Sequence, residues 1–396
     1  MVLYIITGIC LALGLFFFLP IKGKKYERAV PVRHMDERDT MFSRNEIKPG
    51  EKNFDEYYAM RPENMDPDNK FRSRPGLLSQ GTSYNNKMAF AAAHASFDAL
   101  EAFFDLRSKK ASNASTGSGQ AGTGTDWNKE GLTDFIKEWA VKMGAHSAGI
   151  AEMKDYHFYT TGGRKERYGR PVENNHRYGI ALTVEMDYEL TMTGPQSPIV
   201  MESAHQYLNS GMIATQLALT LRNLGYEATT HIDANYDVIC PLVAKDAGLG
   251  EIGRMGLLMT PGLGPRARIA VVTTDAPLLA DTPTHSDSVI DFCTVCKKCA
   301  AVCPSAAIPV DERKEHIGGL HWQIDQEACF TYWCQAGTDC GRCMAVCPYS
   351  HKSNWLHVFA RWGINNNFFF RRIAVRLDDV FYGKKPKPVN IQEWIR

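Results

Sequence analysis

The sequence predicts an α/β (α+β) chain: one membrane-spanning helix, then a mixed helix–strand domain, then a small cysteine-rich domain. Three observations carry this reading. Residues 2–20 contain no charged side chain. Apolar strand-like runs alternate with helical ones from Asn128 to Thr274. Nine of the 11 cysteines fall between Cys293 and Cys347.

The apolar run VLYIITGICLALGLFFFLP comes first. As a helix it would be about 28 Å long, close to the thickness of the hydrocarbon core. It has no basic region ahead of it, no small-x-small cleavage site and no twin arginine, so it reads as an anchor rather than a removable signal. Lys22, Lys24, Lys25 and Arg28 follow at once. By the positive-inside rule the anchor is single-pass in the inner (cytoplasmic) membrane, and the globular body faces the cytoplasm.

The expected division is residues 1–21 as the anchor and 22–125 as an N-terminal region. That region would hold an extended polar arm at 22–75, a helix over 85–107 and a Gly/Ser/Thr-rich linker at 111–125. Residues 126–288 form the mixed domain. Leu132–Met143 and Ser197–Leu224 read as helices, each closed by a glycine. Tyr178–Met186, Tyr226–His231 and Arg268–Thr274 read as strands. Residues 289–351 are the cysteine-rich domain, and 352–396 an aromatic and basic tail packing over the body. Hydrophobic residues make up 44% of the chain, enough for a real core, and the formal net charge is only +1. That balance lacks the basic footprint of a nucleic-acid binder, so no nucleic-acid partner is expected.

Clustered cysteines beside a cysteine-poor body indicate a metal site in a reducing compartment rather than a disulfide scaffold. The first motif runs Cys293, Cys296, Cys299, Cys303, Pro304; the second runs Cys340, Cys343, Cys347, Pro348, with Cys329 and Cys334 upstream. Such spacing lets three thiolates grip one [4Fe–4S] cubane while the cysteine before proline crosses to the other. Cys293, Cys296, Cys299 and Cys347 are therefore assigned to one cluster. Cys303, Cys340, Cys343 and either Cys329 or Cys334 go to the second. Structural zinc is the competing use of C-x2-C pairs, but two C-x2-C-x3-C-P runs argue against it. Cys10, Cys240 and the unused upstream cysteine read as small buried hydrophobes.

These motifs, together with the stretch from Glu202 onward, resemble the catalytic subunit of corrinoid-dependent reductive dehalogenases. The resemblance spans about Glu202 to His351. It includes the Gly225–Tyr226 turn, Ala247–Glu251 with Arg254 and Gly256, Gly264–Pro265, Thr274–Asp275, and the run from Cys329 through Cys343 to Ser350. Epoxyqueuosine reductase, a tRNA-modifying enzyme, shares this core. There a cysteine followed by a short Ile/Ser/Tyr-like run ligates a cluster, and Cys329-Phe-Thr-Tyr matches it, which favours Cys329 over Cys334.

The resemblance implies a nitroreductase-like fold binding a cobamide (a cobalamin-type corrinoid). One cluster would reduce cobalt to Co(I), and the other would take electrons from an external low-potential donor such as ferredoxin, flavodoxin or a reductase. There is no D-x-H-x-x-G motif, so no histidine is expected on cobalt. The glycines Gly248, Gly250, Gly253 and Gly256 would let backbone approach the corrinoid. The implied reaction replaces carbon–halogen by carbon–hydrogen on an organohalide, with a halogenated aromatic as the expected class.

That reaction needs a proton as well as electrons, and a tyrosine beside a cation is suited to give it. Tyr207 falls where the family has its proton-donating tyrosine. Gly211, one turn on, would leave room beside the ring. Arg266 is the expected cation, with Arg268 as the alternative; His205 and His231 are lesser candidates for proton delivery. Two other functions fit less well. An epoxyqueuosine-reductase-like RNA enzyme would call for a basic extension. A ferredoxin-like electron-transfer subunit would need little beyond the cysteine region.

Overall fold

The computed structural model describes residues 19–28, 34–108, 128–316 and 319–395. The expected membrane span, Cys10 and the 111–125 linker lie outside these residues. Among the described residues no helix is long and apolar enough to cross a membrane.

The N-terminal arm is not extended. It folds into three short helices, α1 (Met41–Glu46), α2 (Lys52–Met60) and α3 (Met65–Arg72). Their aromatic residues are too sparse to show a period: Phe54, Tyr57 and Tyr58 of α2 form a small core with Ile47, while Phe42 and Phe71 pack on Phe330. The helices are tied down by Arg44, whose fully buried guanidinium pairs with Asp68 at 2.5 Å and with Glu327 of the cysteine domain at 2.5 Å. A long helix, α4 (Lys87–Glu101), follows, capped by the side chain of Asn86 on the backbone of Ala89.

The mixed domain is built on four strands: β1 (Ser147–Glu152), β2 (Tyr178–Glu185), β3 (Ala228–His231) and β4 (Ala267–Thr274). Their order is β1-β2-β4-β3, and every neighbouring pair is antiparallel. Helices α5 (Lys129–Lys142) and α6 (Pro198–Asn223), with α4, cover one face. A short helix, α7 (Cys240–Asp246), covers the other. The pleat sorts the side chains: Ile180, Leu182, Ala270 and Val272 point to the α6 side. Ala181 and Val271 point to the α7 side. Both faces of β2 are thus buried, which is why its sequence reads as one apolar run. Gly211 of α6 does not open space for a ligand. A Cβ there would sit 2.4 Å from Leu100 Cδ1, so the glycine lets α4 approach α6 closely.

The cysteine domain comprises α8 (Asp287–Cys296), α9 (Lys298–Val302) and α10 (Gln326–Ala336) with the loops around them. The tail forms a helical hairpin, α11 (Trp355–Asn366) and α12 (Phe368–Tyr382). The hairpin packs on α8, held by Asp291, which accepts hydrogen bonds from Arg371, Arg372 and Tyr26. The remaining chain crosses the body: Val389 N donates to Met192 O, and Asn86 Nδ2 to Ile395 O.

Candidate cluster sites and acid–base site

The loops between the cysteine helices are tight. Lys297 (φ +55°) and Cys340 (φ +61°) adopt the left-handed conformation, uncommon for residues with a side chain. These reversals turn the thiols inward. Cys293, Cys296, Cys299 and Cys347 line one small cavity, closed by Met255, Phe292 and Tyr349. Burial pushes the Cys296 thiol up to about 12, and Cys293 adds to the effect. A second set surrounds Cys343. Burial raises its pKa to about 12, with Cys303 adding to it. Cys329, also raised to about 12 by burial, faces Cys343 and Cys303, and Cys340 faces Cys343 and Cys329. Cys334 lies elsewhere, in an apolar cluster with Met41, Phe71 and Phe330.

No three of the described His, Cys, Asp or Glu side chains converge tightly enough to hold a single metal ion. Four sulfurs spread around one void instead suit a cubane, in which each thiolate takes a different iron. Arg254 braces the first set, donating from Nε to Cys293 O at 3.0 Å while its guanidinium stacks 4.6 Å from the Trp322 ring.

Tyr207 stands on the α6 face turned toward β4. Arg268, not Arg266, meets it: the Arg268 guanidinium lies 4.7 Å from the Tyr207 ring centroid. The reason is the strand repeat. Arg266 lies two residues, or about 7 Å, further along the same pleat. There it donates to Ser350 O at 2.9 Å, to Glu185 at 3.0 Å and to Met186 O. It ties the sheet to the cysteine domain and does not reach the tyrosine.

Arg268 is held by two partners. Its Nη2 donates to Ser203 Oγ at 2.5 Å and to Asp339 Oδ2 at 2.8 Å, and Ser203 Oγ donates to the same carboxylate oxygen at 2.5 Å. Asp339 directly precedes Cys340, so the acid–base array abuts the second thiol set. Arg268 Nε and Asp339 Oδ1 are buried without a hydrogen-bond partner among the described residues. Burial pushes the Tyr207 hydroxyl up to about 12, against the pull of Arg268. Asp233 stands close enough to raise it further, and burial raises the carboxyl of Asp233 itself against the pull of Arg164 and Arg268. Asp233 belongs to a turn in which Ala234 takes φ +62°.

The other candidates are placed apart. His231 is buried, with Nε2 on Thr273 at 2.9 Å and Nδ1 accepting from Asp237 N at 3.1 Å. Burial drives its pKa well down, so it is a neutral structural residue. His205 is exposed on α6. Gly256 lines a cavity of about 680 Å3 whose walls mix Ile252 and Trp322 with Asp36, Arg61, Lys245 and Glu251. Gly253 stands beside the first thiol set, since a Cβ there would lie 3.6 Å from Cys293 Sγ. Gly248 and Gly250 are packed against backbone. Their added Cβ atoms would meet the backbone oxygens of Thr282 at 3.1 Å and Met259 at 2.4 Å. Sequence reasoning missed the roles of Ser203, Asp233 and Asp339. The one available signal was an aspartate next to a cysteine in a cluster motif.

Residues 292–351 match the family model of the 4Fe–4S dicluster domain. Over 214 residues the chain is 35% identical to the tetrachloroethene reductive dehalogenase of Sulfurospirillum multivorans, covering 52% of this chain and 42% of that one. It is 38% identical over 228 residues to the enzyme of the same name from Desulfitobacterium hafniense, covering 54% and 40%. The chain is a relative of the reductive dehalogenases. A solved catabolic reductive dehalogenase has the same fold, with a TM-score of 0.72 at 23% identity, over 93% of this chain and 50% of that one. This reductive dehalogenase relative thus aligns with about half of that structure and about two-fifths of the curated sequences. A shorter stretch of 112 residues is 33% identical to an epoxyqueuosine reductase of Synechococcus, as expected from the shared core.

Proposed function

We propose that the chain is a corrinoid-dependent reductive dehalogenase, held at the cytoplasmic face of the inner membrane by its N-terminal apolar run. The observation that carries this reading is the Tyr207–Arg268–Ser203–Asp339 array beside the loop bearing Cys340. With two [4Fe–4S] clusters on the eight cysteines and a bound cobamide, the protein would have the two electrons that reduction of a carbon–halogen bond requires, drawn from an external donor. The cobamide would lie on the side of the Tyr207–Arg268 array rather than in the cavity at Gly256, whose walls include Asp36, Asp39, Arg61, Lys245 and Glu251 and share no residue with that array.

The proton is the part of this chain's own residues. Tyr207 carries its proton at physiological pH, as any tyrosine does, and burial raises its pKa further, to about 12. Its hydroxyl makes no hydrogen bond to the described residues, which leaves it available to a bound substrate. Arg268 over the ring stabilises the phenolate that remains, and Ser203 and Asp339 fix the guanidinium in place. Phe97, 6.4 Å from Tyr207 between centroids, gives the site an aromatic wall that supports a halogenated aromatic as substrate.

The test is metal content on anaerobically purified protein supplied with cobalamin, followed by turnover of halogenated phenols and, beside them, tetrachloroethene. Near one cobalt per chain with halide release establishes the reading, and the two assays choose the substrate class. Full iron without cobalt would replace it with an electron-transfer subunit.

A further inference from the structure

The α11–α12 hairpin has an outer face that nothing in the fold explains. On α11, Trp355 is 82% exposed, and Leu356 and Val358 are exposed beside it. On α12, Leu377, Val380 and Phe381 form an outward stripe at helical spacing, with Val380 78% and Phe381 75% exposed. The inner stripe of α12, Phe370, Ala374 and Asp378, is buried, so the helix is apolar on both sides. The two exposed groups belong to one surface. The end of α12 returns to the first turn of α11, where Tyr382 Oη and His357 Nε2 share a hydrogen bond of 2.7 Å. Exposed apolar surface of this extent marks an interaction site.

Two further observations identify what covers it. The chain's apolar run reaches the body at this hairpin: Asn367 Nδ2 donates to Leu19 O at 3.0 Å, and Phe368 N to Ile21 O at 3.0 Å. Exposed cations fringe the hairpin at both ends: Lys22, Lys24 and Lys25 follow the run at the α11–α12 turn, and Arg376, Lys384 and Lys385 flank the apolar stripe at the other. Tryptophan and phenylalanine beside aliphatic residues, rimmed by lysine and arginine, are the composition of a helix lying in the interfacial layer of an anionic bilayer.

We infer that the α11–α12 hairpin docks on the lipid bilayer, its axis in the membrane plane and Trp355, Val380 and Phe381 among the headgroups and upper acyl chains. This rests on the reading of residues 2–20 as a membrane anchor and adds to it. Residues 19–26 are bonded to the body through Asn367, Phe368 and Asp291, so the anchor ties only the α11–α12 turn to the bilayer and leaves the far end of the hairpin unheld. A docked hairpin fixes one orientation, with the first thiol set toward the membrane, because Lys298 beside Cys299 pairs with Asp378 of α12.

The test uses the full chain reconstituted into phosphatidylcholine–phosphatidylglycerol vesicles. Replacing ordinary lipids by ones brominated near the headgroup should quench Trp355. The emission lost to bromine in the wild type should therefore be smaller in Trp355→Phe, and also smaller in the double variant Val380→Glu, Phe381→Glu, which still floats with the vesicles through its anchor. A chain that floats while wild type and Trp355→Phe lose the same emission would overturn the docking and leave the anchor standing. A chain that does not float would overturn both. Equal loss together with a dimer in detergent solution would assign the face to a second copy.

Discussion

The guanidinium of Arg268 lies 4.7 Å from the ring centroid of Tyr207 and is anchored from behind by Asp339 at 2.8 Å. One strand residue thus joins a helix tyrosine to the loop that bears Cys340. The geometry makes the proposed proton donor and the second thiol set parts of one unit, and it can be tested one member at a time.

Removing the proton should stop turnover without disturbing the cofactors. Tyr207→Phe keeps the ring that packs against Arg268 and Phe97 but loses the hydroxyl. Dehalogenation is expected to fall by a factor of about 10^2 to 10^4, the usual contribution of a positioned general acid. Iron content and the cluster spectrum should match the wild type. Unchanged turnover would exclude Tyr207 as the donor.

Arg268→Met should act on both chemistry and stability. Without the cation the Tyr207 hydroxyl loses the neighbour that lowers its pKa and rises further, so turnover should fall even though the tyrosine is present. Asp339 would also be left buried without its partner, at a cost of about 3–5 kcal/mol. A second change, Asp339→Asn, removes that stranded charge and should recover much of the melting temperature but not the activity. Arg266→Met should show the opposite balance, destabilising the sheet-to-cluster junction while leaving the Tyr207 environment intact.

Much of this arrangement was legible in the sequence because it is local. The cysteine spacing placed both thiol sets, and the β2 run and the α6 helix appeared at nearly their observed bounds. What was not legible depends on long-range contacts. β1 reads Ser-Ala-Gly-Ile-Ala-Glu, too short and small-sided to announce a strand, and becomes one only by pairing with β2. The arm helices α1–α3 have no sustained apolar period and are fixed by the buried Arg44–Asp68 pair. The choice between Arg266 and Arg268 needed the register of β4 against α6, which no local pattern carries.

The two upstream cysteines should separate cleanly. Cys329→Ser is expected to lose one cubane, about four of about eight irons per chain. Cys334→Ser sits among Met41, Phe71 and Phe330 and should keep its full iron, with at most a small loss of stability. Iron analysis with electron paramagnetic resonance of the reduced protein distinguishes them. The reverse result would move the fourth ligand to Cys334 and require α10 to turn.

Asp291 provides a pH test of the hairpin. Burial alone would raise its pKa, but hydrogen bonds from Arg372, Arg371 and Tyr26 outweigh it and hold the carboxyl below its ordinary 3.8. A depressed carboxylate contributes stability that is fully present above its unfolded pKa and is lost as pH falls through the folded one. Asp291→Asn should therefore free the α11–α12 hairpin at neutral pH, seen as faster amide exchange across Phe368–Tyr382 and earlier cleavage of the tail. As pH falls past 3.8 and then through the lower folded value, the wild type should approach the variant, because its own carboxyl is only then protonated. If exchange in the two proteins instead differs by the same amount at every pH, the hairpin is held by its apolar contacts with α8, and the charge at Asp291 is incidental.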